Sequence, residues 1–207
     1  DIICFRGTAS GLDWLTDALV VPVPYAGRLC HAGFVMAHAS VWSKIKDHIH
    51  PKKRTLFCGH SLGGALAELS AAKLHKKHPN LNLVTFGKPN TFFKGFKRPM
   101  ALDKQISCVC GSDMIARIPR LCYGPSKSQT MLYFANAGGD HIDPAKSFRK
   151  EDRSITDAVS DHFMSGYTER LNTFLDNQSK KPKNVEESIS KEEVAELNKL
   201  LDEVQNA

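Results

Sequence analysis

Ser61 stands in Gly59-His60-Ser61-Leu62-Gly63-Gly64-Ala65, a spacing that could make it a nucleophile. The apolar run Thr55-Leu56-Phe57-Cys58 leads in, and Leu62, Ala65, Leu66 and Leu69 follow at helical spacing. Strand, sharp turn and helix are therefore expected, with the serine at the apex. Gly59 and Gly63 leave room two residues to either side of a strained position, and Gly64 lets the helix close on the strand. The backbone N–H of Leu62 would face the space beside the hydroxyl. A bare G-x-S-x-G is a weak signal, since an ordinary glycine-rich turn with a bystander serine also satisfies it. The strand before, the helix after and the third small residue weigh toward a built nucleophile.

A serine hydroxyl reacts poorly at neutral pH unless a base takes its proton and a carboxylate orients that base. In a strand–turn–helix setting of this kind the partners follow in the order serine, acid, histidine. Asp113 ends the apolar run Ile106-Ser107-Cys108-Val109-Cys110 through Gly111-Ser112, where an acid is needed. A turn-forming aspartate after a strand fits that position equally well. Two later histidines compete for the base. His141 lies in the loop Gly138-Gly139-Asp140-His141; His162 lies at the start of a helix carrying Tyr167 and Leu171. Position and chain order favour His162. His31, His38, His48, His50, His75 and His78 read as structural or solvated.

The elements that must position these groups alternate along the chain. Strands are expected at Ile2–Phe5, Thr55–Cys58, Leu81–Phe86, Ile106–Cys110 and, at an edge, Thr130–Phe134. Helices are expected from Phe34 to Ile49, stopped by Pro51, from Leu62 to His78, ended by Pro79, and from Asp161 to Leu175. Trp42, Ile45 and Ile49 share one face of the first, and Met164, Tyr167, Leu171 and Phe174 one face of the last. Interleaved strands and helices imply an α/β fold with a mostly parallel sheet covered on both faces. Sites in such sheets form at the carboxyl ends of strands, where Ser61 sits. The chain has 207 residues, 42% of them hydrophobic, which fits one domain with a substantial core. No apolar run reaches the ~20 residues of a membrane span.

Ordered segments of this chain resemble the class 3, fungal-type lipases, which are α/β-hydrolases. Phe5-Arg6-Gly7-Thr8 resembles that family's oxyanion loop, and His31-Ala32-Gly33-Phe34 the opening of its next helix. Gly59 to Ala65 matches the nucleophile elbow. Thr85-Phe86-Gly87-Lys88-Pro89 resembles T-x-G-x-P; Asp113 to Pro119 resembles the acid-bearing motif; Asp161-His162 resembles the closing D-H. The resemblance spans residues 2–175. It implies Ser61 as nucleophile, Asp113 as orienting acid, His162 as general base, and the backbone N–H groups of Thr8 and Leu62 as the oxyanion hole. It further implies a flap from Ala9 to about Val21, with Leu12, Trp14, Leu15 and Leu19 on or beside its apolar face and Pro22 and Pro24 as hinge or boundary residues. A flap that opens on lipid and a helix packed permanently on the core remain open readings. Ala116 stands where the family frequently has proline, and residues 120–160 match it poorly.

The expectation is a serine hydrolase of lipid carboxylic esters, acylglycerols first, without cofactor or metal. A phospholipase, a soluble short-chain or feruloyl-type esterase, and a silent lipase-like interaction module are the alternatives. Cys108-x-Cys110 lacks a second metal-type pair, and six cysteines do not make a disulfide scaffold at this length. Cys4, Cys58, Cys108 and Cys110 read as free buried thiols in a reducing compartment, with a cytoplasmic or peripheral-membrane location favoured. Net charge is +6; from Asn177 onward five Lys meet seven Asp/Glu, so that stretch carries −2 and the rest +8. Clusters at Lys52-Lys53-Arg54, Lys73 with Lys76-Lys77, and Lys94 with Lys97-Arg98 suit peripheral contact with anionic lipid. No aromatic-interleaved basic stripe points to nucleic acid. The hydrolase domain is expected over residues 1–176, N-terminally incomplete because the chain opens inside a strand without methionine. Residues 177–207 read as a polar linker and a short helix, opened by the capping box at Ser190 and carrying Val194, Leu197, Leu201 and Val204, that docks on the domain or a partner.

Overall fold

Strands with almost uninterrupted apolar runs must be covered on both faces, which a parallel sheet between helices provides. The computed structural model describes residues 1–7, 21–94, 100–119, 122–125, 129–134, 141–142 and 159–180. Its elements are β1 (Ile2–Phe5), β2 (Pro22–Tyr25), β3 (Arg28–His31), α1 (Ala32–Ile45), β4 (Thr55–His60), α2 (Leu62–Leu74), β5 (Leu81–Phe86), β6 (Phe92–Phe93), β7 (Lys104–Cys110), β8 (Tyr123–Gly124), β9 (Thr130–Phe134), β10 (His141–Ile142) and α3 (Met164–Lys180). The main sheet runs β1-β4-β5-β7-β9-β10. Its first five strands are parallel, and β10 returns antiparallel to β9. This is the expected α/β architecture.

Alternation along each strand divides the core into two layers. Phe57, Leu81 and Leu83 face one side with Phe5, Phe34 and Leu69. Leu56, Cys58, Val84 and Phe86 face the other with Ile106, Leu132, Tyr167, Leu171 and Phe174. Tyr167, Leu171 and Phe174 form the buried stripe of α3, as their spacing requires, while Met164 at its start is 38% exposed. α2 is buried at nearly every position from Gly63 to Ala72. α1 is fastened to it by a polar line. The Tyr25 hydroxyl donates to His38 Nδ1 (2.7 Å), and His38 Nε2 donates to Ser70 Oγ (2.8 Å), which itself donates to the Leu66 carbonyl. Burial, and then the nearby Lys73 ammonium, push the His38 pKa down to about 4, so the ring is neutral.

Five features differ from the sequence expectation. β9, expected at an edge, is covered on its outer side by β10. A second, antiparallel sheet, β2-β3-β6-β8, was not foreseen. Pro22 and Pro24 lie inside β2, on the outer edge of that sheet, where a missing N–H removes no ladder bond. α3 begins at Met164, after a turn holding His162, and continues through Lys180, so a boundary at residue 177 falls within a helix. The tail from 181 onward lies outside the described residues. Cys4 is exposed, because β1 is the outermost strand of its sheet; Cys58, Cys108 and Cys110 are buried, and all are free thiols. No helix among the described residues is long and apolar enough to cross a membrane.

Candidate active site

The β4–α2 turn puts Ser61 in a conformation that side chains rarely adopt, with φ 56° and ψ −127°. Such strain persists only when the surroundings impose it. Here the Ser61 N–H donates to the Phe86 carbonyl (2.9 Å) on β5, and the Ser61 carbonyl accepts from Gly64 N–H (3.0 Å). A side chain at Gly63 would run into the Phe5 carbonyl, and one at Gly59 into Gly63 itself, so both positions must be bare for the elbow to close. Leu62 is the first residue of α2, so its N–H has no intrahelical acceptor, and the positive end of the helix points at the serine. Gly7, at the end of β1, lies against the His60 carbonyl and Ser61 Cβ. The next residue, Thr8, and the flap candidates Leu12, Trp14, Leu15 and Leu19 lie outside the described residues.

Ser61, Asp113 and His162, drawn from three distant parts of the chain, meet in one line. Ser61 Oγ is 2.9 Å from His162 Nε2. His162 Nδ1 is 2.9 and 3.0 Å from the two oxygens of Asp113. A carboxylate beside a neutral ring can only accept, so Nδ1 carries the hydrogen and the Nε2 lone pair faces the serine. Asp113 is fully buried. Its Oδ1 also accepts the N–H groups of Ile115 (2.8 Å) and Ala116 (3.3 Å) at the start of a single 3-10 turn. The backbone of His141, in β10, pairs with Tyr133 of β9.

Two contributions escaped the sequence reading. Tyr167, counted there as an apolar face residue, donates its hydroxyl to Asp113 Oδ2 (2.5 Å) and accepts the Cys110 N–H (3.1 Å). Burial, and then the negative charge of Asp113, raise the Tyr167 pKa well above its ordinary value, which keeps the phenol a donor. Asp161 is the second: its Oδ2 accepts Ser112 N–H (2.6 Å) while Oδ1 pairs with Arg170 (2.8 Å). Ser112 precedes the acid and Asp161 precedes the histidine, so this bond staples one loop to the other. Gly87, with φ +54°, passes so close that a Cβ would lie 2.6 Å from Asp113 Oδ2 and 3.1 Å from His162 Nδ1. The tyrosine signal was in the sequence only as a hydroxyl on an otherwise apolar stripe.

A family model described as Lipase (class 3) matches residues 2–122, more than half of the chain. The chain belongs to the class 3 lipase family. A lipase of Rhizomucor miehei is 34% identical over 101 residues, covering 42% of this chain and 28% of that protein. A secreted mono- and diacylglycerol lipase of Fusarium solani is 29% identical over 135 residues, covering 59% of this chain and 40% of that protein. The chain therefore spans well under half the length of these class 3 relatives. The crystal structure of Rhizomucor miehei triacylglyceride lipase superimposes with a TM-score of 0.63 at 21% identity, over 76% of this chain and 69% of that one. That likeness establishes the α/β-hydrolase fold for this member of the family.

Proposed function

We propose that this chain carries the catalytic centre of a serine hydrolase that cleaves carboxylic esters of lipids, acylglycerols first, through an acyl-enzyme on Ser61. The observation that carries the reading is the unbroken line from Ser61 Oγ through His162 to Asp113, with both contacts near 2.9 Å. As Oγ attacks the ester carbonyl carbon, its proton passes to His162 Nε2 and the imidazolium is held by the Asp113 carboxylate. The carbonyl electrons move onto oxygen, where the N–H groups of Leu62 and Thr8 would receive the charge; one such donor is worth ~3–4 kcal/mol. Collapse breaks the ester C–O bond, and the alcohol leaves with the proton from Nε2. Water then gives its proton to Nε2, attacks the acyl carbon, and the acid departs as Ser61 regains its hydrogen.

The lipid assignment draws on the relatives and on apolar residues that adjoin the acid and the base in the chain. Met114, next to the acid, and Phe163 and Met164, next to the base, are large apolar side chains left 38%, 61% and 38% exposed. Exposed apolar side chains next in the chain to the acid and the base suit an acyl chain better than a polar ester. The basic clusters suit anionic headgroups.

Two measurements test the proposal. A fluorophosphonate probe is expected to label Ser61, with labelling abolished in Ser61→Ala and His162→Ala and retained in His141→Ala. A panel of tri-, di- and monoacylglycerols, phospholipids and short-chain esters, with and without a lipid surface, is expected to show turnover of acylglycerols above the rest. Folded protein that neither reacts with the probe nor turns over any ester would be an interaction module; preference for phospholipids would move the substrate class.

A further inference from the structure

His60 immediately precedes the nucleophile on β4, yet the hydrolysis steps above make no use of it. Its ring is packed against the His162 ring, centroids 4.7 Å apart and tilted 33°, and edge-on to Tyr167 at 5.8 Å. His60 Nε2 lies 2.7 Å from the backbone oxygen of His162. A carbonyl oxygen only accepts, so Nε2 carries the hydrogen. The His60 main chain cannot drift: it pairs in register with Phe86, whose carbonyl takes the Ser61 N–H. Burial, followed by the neighbouring His162, holds the His60 pKa below its ordinary value.

The site thus has two ties on the base. The Asp161–Ser112 bond joins the histidine loop to the acid loop. The His60 bond joins the main chain of the histidine to the strand end that carries the serine. We propose that His60 is a positioning residue, an Nε2–H donor that latches the His162 backbone to β4 and so sets the reach from His162 Nε2 to Ser61 Oγ. Without the latch the acid and base keep their contact, but the base is free to move away from the nucleophile. The kinetic part of this inference rests on the hydrolase reading.

The test uses the full chain and the variants His60→Gln, His60→Leu and His60→Phe. Glutamine can present an amide N–H near the position of Nε2; leucine and phenylalanine cannot, and phenylalanine keeps the ring packing. In Leu and Phe variants kcat and the rate of fluorophosphonate labelling are expected to fall together by about 10–100-fold, the scale of a misplaced catalytic group. KM is expected to stay within about twofold, since uniform substrate binding is untouched. His60→Gln is expected to recover most of the rate. Equal rates in all three variants overturn the latch. Nitrogen-resolved NMR of the wild-type histidines gives a readout independent of turnover: His60 must be protonated on Nε2, and an Nδ1–H tautomer overturns the proposal even if the apolar variants do not fold. A correct tautomer in a protein that no probe labels would sink the hydrolase reading and leave the contact standing.

Discussion

The carboxylate of Asp113 is where the site holds the most hydrogen bonds: His162, Tyr167, Ile115 N–H and Ala116 N–H all converge on two buried oxygens. Each donor fixes one direction of the carboxylate, and the carboxylate fixes the ring. Tyr167→Phe removes one donor and also strands the Cys110 N–H that the phenol oxygen accepts. A hydrogen bond to a charged group is worth about 1.5–3 kcal/mol. The variant is expected to lose about 2 kcal/mol of unfolding free energy and several-fold in kcat at unchanged KM, measured by urea denaturation and steady-state kinetics. Unchanged stability would mean that the hydroxyl bond contributes nothing net. The residue scale is also where legibility divides. Ser61, Asp113 and His162, which the structure brings into contact, could be picked out as candidates from the elbow spacing, the chain order and the resemblance of their segments to one family. Tyr167 and His60 were not, because a phenol on a core stripe and a histidine inside a motif look the same whether or not their polar ends are used.

Elements carry the site by being held to one another, and α2 is held by a charge as well as by packing. Glu68 on α2 is fully buried, and its Oε2 lies 2.9 Å from Lys88 Nζ in the loop after β5. That loop also contains Gly87, pressed against Asp113, so the pair connects the helix behind the nucleophile to the floor of the acid. Removing one partner leaves an uncompensated buried charge, a loss of about 3–5 kcal/mol. Lys88→Met is expected to destabilise on that scale, and Glu68→Met with Lys88→Met together to regain most of it, read from urea midpoints. A double variant no better than the single one would assign the loss to packing alone. The parallel strands were legible because burial on both faces demands continuous apolar runs. The second sheet was not: its strands have two to four residues, include Pro22, Pro24 and Arg28, and pair across long separations such as Cys30 with Phe92. Short-range periodicity contains no such information.

At the scale of the whole molecule the histidines set how the fold responds to acid. His31, His38, His60 and His75 are all held below the ordinary imidazole pKa, burial being the first cause for each. The unfolded chain binds protons on these rings near pH 6.5, and the native chain does so only at lower pH. Between those values the unfolded state holds more protons, so stability rises with pH and is lost as pH falls, at up to about 1.4 kcal/mol per pH unit for each ring. For His38 the window runs from about 6.5 down to about 4. Protonation there would place a second hydrogen on Nδ1, against the Tyr25 hydroxyl that now donates to it, and would break the line joining α1 to α2. Urea midpoints are expected to fall steadily from pH 7 to pH 5. His38→Gln, which cannot take up a proton, is expected to be less stable than wild type at pH 7 and to close that gap as the pH falls. Carboxylates contribute to the acid slope of both proteins, so the difference between them isolates His38. A gap of constant size across the range would mean that the ring takes up its proton alike in the folded and unfolded states and that acid acts elsewhere.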